Sequence, residues 1–329
     1  MGARLAGVAA GAVWLAFAAI VPGGFAAASG ISPPPAPASG PGGADYPYRS
    51  VVAAQAGSGA GAYWIFAPDG PKPAAVPLVV FLHGWGAIDP RPYRAWIDHI
   101  VRRGAIVLYP AYQSDLRTPP AEFERNAADA VKAAIVVLQA AAGATRPDLD
   151  RVAYVGHSAG GNLAADLAAD AARDGLPRAR AIMAVAPGKS WGPERLRIPL
   201  TDLSAMPAGT LLLAVACDAD RLVGDRDAGR IFRESTAVRP GDKNLVVLHG
   251  DAHGTPPLAA NHLAPLAPSE SSADALDFYG TWKLFDGLSD AAFFGRNRRF
   301  ALGDTQEQRF MGNWSDGTPV KPLSVVTVP

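Results

Sequence analysis

Short apolar runs recur along the chain, separated by segments with helical spacing. Residues 62–66 (AYWIF), 78–82 (LVVFL) and 105–109 (AIVLY) are the first of these runs. Residues 151–155 (RVAYV), 181–185 (AIMAV), 211–215 (LLLAV) and 245–248 (LVVL) follow. Each is the length of a strand and apolar throughout, the pattern of strands covered on both faces. Between them, residues 93–103 form a helical candidate. Phe123, Ala127, Ala130, Ala134 and Leu138 keep a helical period. The alanine-rich stretch 161–169 suits a helix. Phe278, Trp282 and Phe285 mark a last helix at i, i+4 and i+7. Strands alternating with helices predict an α/β fold, with a mainly parallel central sheet and helices on both faces.

The N-terminus has a different pattern. Arg4 is the only charged residue before Asp45, residues 5–21 are apolar, and Ala26, Ala27 and Ala28 suit signal-peptidase cleavage. Residues 1–28 are therefore expected to be a secretory signal, which places the protein outside the cytoplasm, secreted or periplasmic. The alternative is an uncleaved membrane anchor, the one membrane contact the sequence suggests. Residues 29–47, rich in Pro, Gly, Ser and Ala, read as a disordered linker. The expected division is signal 1–28, linker 29–47, the α/β domain 48–290 and a C-terminal extension 291–329. The extension holds Phe293, Phe294, Phe310, Trp314 and an Asp316-Gly317 turn suited to a hairpin, and is expected to pack on the domain.

Thirty basic and thirty acidic residues cancel, so no electrostatic case exists for nucleic acid or an anionic surface as partner. Cys217 is the only cysteine, which rules out an internal disulfide and a cysteine zinc cluster. Asp218, Asp220, Asp225 and Asp227 fit no standard Ca²⁺ loop, so no metal and no cofactor is expected.

The candidate chemistry lies at residues 156–160, Gly-His-Ser-Ala-Gly. This is a Gly-x-Ser-x-Gly pattern between the strand at 151–155 and the helix at 161–169. Strand, tight turn and helix is the context that exposes a serine hydroxyl at a helix N-terminus, so Ser158 is the expected nucleophile. A serine needs a base, and the base a carboxylate. In a parallel sheet both belong in loops after strand C-termini. His253, in Gly-Asp-Ala-His-Gly just past the strand at 245–248, is the expected base, with His262 as the alternative. Asp220 is the expected acid, with Asp218 as the alternative. His157 is too close to the serine to serve as base, and His83 reads as a structural residue bonded to loop carbonyls. Two N–H donors are needed for the oxyanion. Ala159 and Trp85 are the candidates, the latter after the strand at 78–82.

These residues, with His83-Gly84 after a strand and the order Ser, Asp, His, resemble the α/β-hydrolase superfamily over about residues 60–290. The chain looks most like its secreted esterases, lipases and dienelactone-hydrolase-like members. The resemblance implies the α/β-hydrolase fold and serine-based cleavage of carboxylic esters through an acyl-enzyme, on small-molecule or lipid-like esters. Amide hydrolysis or acyl transfer by the same triad is the enzymatic alternative. A non-catalytic binding protein on this fold is the other. Residues 189–207 are the only stretch that suggests a cap.

Overall fold

The structure is a computed structural model describing residues 30–141 and 143–326. The signal expected at 1–28 lies outside the described residues. One nine-stranded sheet runs through the molecule in the order β1-β2-β4-β3-β5-β6-β7-β8-β9. Its strands are β1 Ser50–Ala56, β2 Tyr63–Asp69, β3 Ala75–Leu82, β4 Ile106–Pro110, β5 Arg146–His157, β6 Ala179–Val185, β7 Leu211–Cys217, β8 Lys243–Leu248 and β9 Ser324–Val326. The six strands β4-β3-β5-β6-β7-β8 are parallel. β1, β2 and β9 add antiparallel pairs at the two ends. The helices are α1 Arg94–Arg102, α2 Phe123–Ala140, α3 Ala159–Ala169, α4 Ala171–Asp174, α5 Arg226–Glu234, α6 Lys283–Phe294 and α7 Gln306–Arg309.

The parallel strands are apolar throughout because helices cover both faces. In β3, Leu78, Val80 and Leu82 belong to the core that includes residues of α2, α3 and α5, while Val79 and Phe81 belong to the one that includes residues of α1 and α6. Successive side chains of a strand point to opposite faces, so one continuous apolar run supplies two cores. α3 is buried along its whole length. Its alanines let it lie close against the sheet directly behind the serine. Every predicted strand and helix is present. β1 and β9 were not predicted, because they are mostly exposed edge strands without a clean alternation.

The N-terminal end of the described chain departs from its sequence reading, and at the C-terminal end the extension packs on the domain as expected but the boundary differs. Residues 30–47 are not a loose linker. Ile31 and Ser32 hydrogen-bond Thr255 and Ser315 through the backbone, Tyr279 donates to the Pro35 carbonyl, and Gly42 N donates to Asp286 at 2.7 Å. This strap gains its order from those partners, which composition does not reveal. The boundary expected at residue 290 falls inside α6, which a π-helical turn, Leu276–Trp282, precedes. Beyond α6, Ala301, Leu302, Met311, Trp314, Val320 and Leu323 are buried in the same core as α1. Asp316-Gly317 closes a turn in which Trp314 N donates to Thr318 O at 2.8 Å. Residues 189–207 form two single-turn helices and loops, with Ile198, Leu203 and Met206 buried. Among the described residues no helix is long and apolar enough to cross a membrane.

Candidate active site

The turn between β5 and α3 holds Ser158 at φ 57°, ψ −122°, a conformation L residues rarely adopt. Two glycines make the turn possible. A Cβ on Gly156 would lie 2.0 Å from the Gly160 carbonyl oxygen, and one on Gly160 would lie 2.1 Å from that of Leu82. Strand and helix can therefore cross only with hydrogen at both positions. The Ser158 backbone is fixed on both sides: its N–H donates to Val185 O at 3.0 Å, and its carbonyl accepts from Gly161 and Gly188.

His262 Nε2 lies 2.9 Å from Ser158 Oγ, and His262 Nδ1 lies 2.7 Å from Asp220 Oδ2. All three residues are buried. The other Asp220 oxygen accepts the N–H groups of Leu222 and Val223 at 2.9 and 3.0 Å. Burial opposes ionisation of Asp220, but the Val223 N–H, the His262 ring and the Leu222 N–H together hold its carboxyl below the usual range. The carboxylate is thus ionised and oriented where it meets the ring.

His253 is not at this site. Its Nε2 pairs with Asp316 at 2.8 Å, its backbone N–H donates to Asp251, and its ring sits beside Trp314. The physical reason is an excursion after β8. Asp251 and Leu258 exchange two backbone hydrogen bonds, so residues 251–258 fold out and return. Ala260 O then accepts Ala219 N–H at 3.0 Å, which sets the next residues beside the aspartate loop. His262, well past the strand in sequence, thereby lies against Ser158, and His253 does not. Leu258 and Ala260 are buried at that return. Asp218, the alternative acid, pairs with His249 at 2.9 Å and accepts Gly250 N–H.

The loop after β3 meets the elbow from the other side. A Cβ at Gly84 would stand 3.3 Å from Ser158 Cβ, so this loop abuts Ser158. The N–H groups of Gly84 and Gly86 are committed to Tyr93 Oη and Gln113 Oε1, both at 2.9 Å. The Trp85 N–H lies between them. The Trp85 ring packs on Phe123 and under the Lys189 ammonium. Ala159 opens α3 directly after the serine, where the helix end carries unpaired N–H groups. His83 is buried between the Gly84 and Ala111 carbonyls, and burial pushes it down to about 4, so its single ring proton serves one carbonyl at a time. A cleft of about 670 Å³ adjoins both loops, lined by Gly86, Ala87, Pro92, Leu263, Leu266 and Pro268 together with Asp89 and Arg91.

Residues 79–221 match the family model for the alpha/beta hydrolase fold. That stretch is similar to the family's members, and the sheet around it has the α/β-hydrolase fold. A comparison with curated proteins returns no match. The four aspartates at 218–227 do not converge: Asp220 faces His262, Asp218 faces His249, and Asp227 accepts from Asn162 and Ser190. Among the described residues no group of three or more His, Cys, Asp or Glu side chains is placed to hold a metal ion.

Proposed function

We propose that the hydrolase cleaves carboxylic esters of small or lipid-like molecules through an acyl-enzyme, with Ser158 as nucleophile, His262 as base and Asp220 as its orienting acid. The observation that carries this reading is the 2.9 Å approach of His262 Nε2 to Ser158 Oγ, with Asp220 behind the ring. His262 takes the serine proton as Oγ attacks the ester carbonyl carbon. The N–H groups of Trp85 and Ala159 receive the negative charge that develops on oxygen. His262 returns the proton to the departing alcohol. It then deprotonates a water molecule, whose oxygen attacks the acyl carbon and frees Ser158 and the acid. The largely apolar cleft beside Leu263 and Leu266 suits an uncharged hydrocarbon arm of the substrate. Export through residues 1–28 belongs to the same proposal, and the mass of the mature protein tests it.

The deciding experiment is hydrolysis of p-nitrophenyl esters of increasing chain length by four proteins. Ser158→Ala and His262→Ala should each lower kcat by about 10⁶-fold, as removal of either partner does in a triad. His253→Ala should retain activity within about threefold, since its side chain touches no member of the proposed triad. Loss in His253→Ala with retention in His262→Ala would overturn the assignment.

A further inference from the structure

His157 takes no part in these proton transfers, yet both of its ring nitrogens are committed. Nε2 lies 2.8 Å from the backbone carbonyl of His262. A carbonyl only accepts, so Nε2 carries the ring proton. Nδ1 lies 2.8 Å from Tyr93 Oη. Burial, reinforced by the adjacent His262 ring, pushes His157 down to about 3. The ring is therefore neutral, and Nδ1 accepts the tyrosine proton. Burial also pushes the Tyr93 phenol well above its ordinary range, so the hydroxyl keeps that proton to donate. Tyr93 Oη in turn accepts the Gly84 N–H at 2.9 Å.

Each donor direction is thus determined: Gly84 N–H to Tyr93 Oη, Tyr93 O–H to His157 Nδ1, His157 Nε2–H to His262 O. One end of this chain is the loop that carries the Trp85 N–H. The other is the backbone of the residue that carries the base. His262 needs such an anchor because it sits on a long connection between β8 and α6, beside the exposed Leu263. Hydrogen bonds at Ala260 and Ala267 fix that connection on either side of His262. At His262 itself the carbonyl is held by His157.

Resting on the serine-hydrolase reading, we propose that Tyr93 and His157 are positioning residues that tie the oxyanion loop to the base loop, so that His262 and the Trp85 N–H keep one register about Ser158. The second position of the elbow would then have a task separate from the nucleophile's: to receive a tyrosine proton on one side and grip the base's backbone on the other.

The test compares Tyr93→Phe, His157→Leu and His157→Gln, with kcat and KM measured separately on p-nitrophenyl esters and melting curves recorded for each. Phenylalanine removes the hydroxyl and keeps the ring. Leucine fills the space without a donor, and glutamine restores a side-chain N–H. Misplacing a base by about 1 Å costs up to about 100-fold, so Tyr93→Phe and His157→Leu should lose about 10- to 100-fold in kcat. KM should stay within about threefold of wild type, because the tie acts on the transition state and not on substrate binding. Labelling of Ser158 by an organophosphonate should slow in parallel. His157→Gln should recover most of the leucine variant's loss. A kcat within about twofold of wild type in both Tyr93→Phe and His157→Leu overturns the proposal. So does an equal loss in the glutamine and leucine variants that tracks an equal fall in melting temperature, which would make the role merely structural. If His157→Leu does not fold, Tyr93→Phe decides on the same criteria. Wild-type rates in Ser158→Ala would overturn the serine-hydrolase reading instead, and this proposal with it.

Discussion

Ser158 occupies a backbone conformation that costs a non-glycine residue about 1–3 kcal/mol. The surroundings offset this by fixing the peptide groups on both sides, with Val185 O, Gly161 N and Gly188 N as partners. Such strain persists only where neighbours over-determine it, and here they include two glycines that admit no Cβ. Gly160→Ala must move either the Leu82 carbonyl or the start of α3. It should lower stability by at least about 3 kcal/mol, read from the denaturant midpoint at constant slope. The two aspartates of the loop after β7 separate equally sharply. Asp220 holds the ring that meets the serine, whereas Asp218 holds His249, whose other nitrogen lies 2.7 Å from Ser324 Oγ on β9. Asp220→Asn should lower kcat by about 10⁴-fold, while Asp218→Asn leaves it within about threefold. Steady-state rates of the two variants on one ester decide between them.

The strap formed by residues 30–47 is the element whose packing departs furthest from its composition. Its anchor is the buried carboxylate of Asp286, which accepts from Gly42 N at 2.7 Å and His99 Nε2 at 2.9 Å, with Arg103 Nε at 3.2 Å. Burial opposes charge on Asp286, but the His99 ring, the Arg103 charge and these hydrogen bonds hold its carboxyl below the usual range. Tyr46 extends the same cluster to His99 Nδ1 at 2.8 Å. Gly42 has φ +77°, and a Cβ there would lie 2.0 Å from the Phe278 carbonyl oxygen. Gly42→Ala should therefore cost about 1–3 kcal/mol and lift the strap. Thermal melting and faster limited proteolysis within residues 30–47 would register the change. Unchanged melting and proteolysis would mean that the strap contributes nothing to stability.

Across the whole molecule, acid should destabilise the fold earlier than its carboxylates alone would require. His157 and His83 are buried, and burial pushes them down to about 3 and about 4. An unfolded histidine binds a proton below about pH 6.5. From there down to the folded values the unfolded chain holds more protons than the folded one, so stability rises with pH across this interval and falls as pH drops. Each group contributes about 1.4 kcal/mol per pH unit. Above about pH 6.5 both rings are neutral in either state and the slope from them vanishes. Stability curves between pH 7 and 4 should show this slope, and His157→Leu should remove one of the two contributions. A His157→Leu slope equal to wild type would sink this account.

What local pattern decides, residue order reveals. The apolar runs that became β3 to β8 were legible because strands buried on both faces have no polar side to dilute them. The elbow was legible because a positive-φ serine between a strand and a helix needs small residues at fixed spacing, and 156–160 supplies them. Asp220 stands close behind its strand, so its loop could be found by position. The base could not. Proximity to a strand end favours His253, but the 251–258 excursion returns the chain so that His262 reaches Ser158, through backbone bonds to Leu258 and Ala260 that no residue type announces. The tie from Gly84 through Tyr93 and His157 was equally hidden, since its members meet only when β3, α1 and β5 pack together. Order in residues 30–47 has the same origin: Gly42 and Pro35 find their partners more than 200 residues away. Periodicity and turn chemistry act over a few residues and are written locally, whereas pairing across the sheet's loops is settled by where the packed core leaves space.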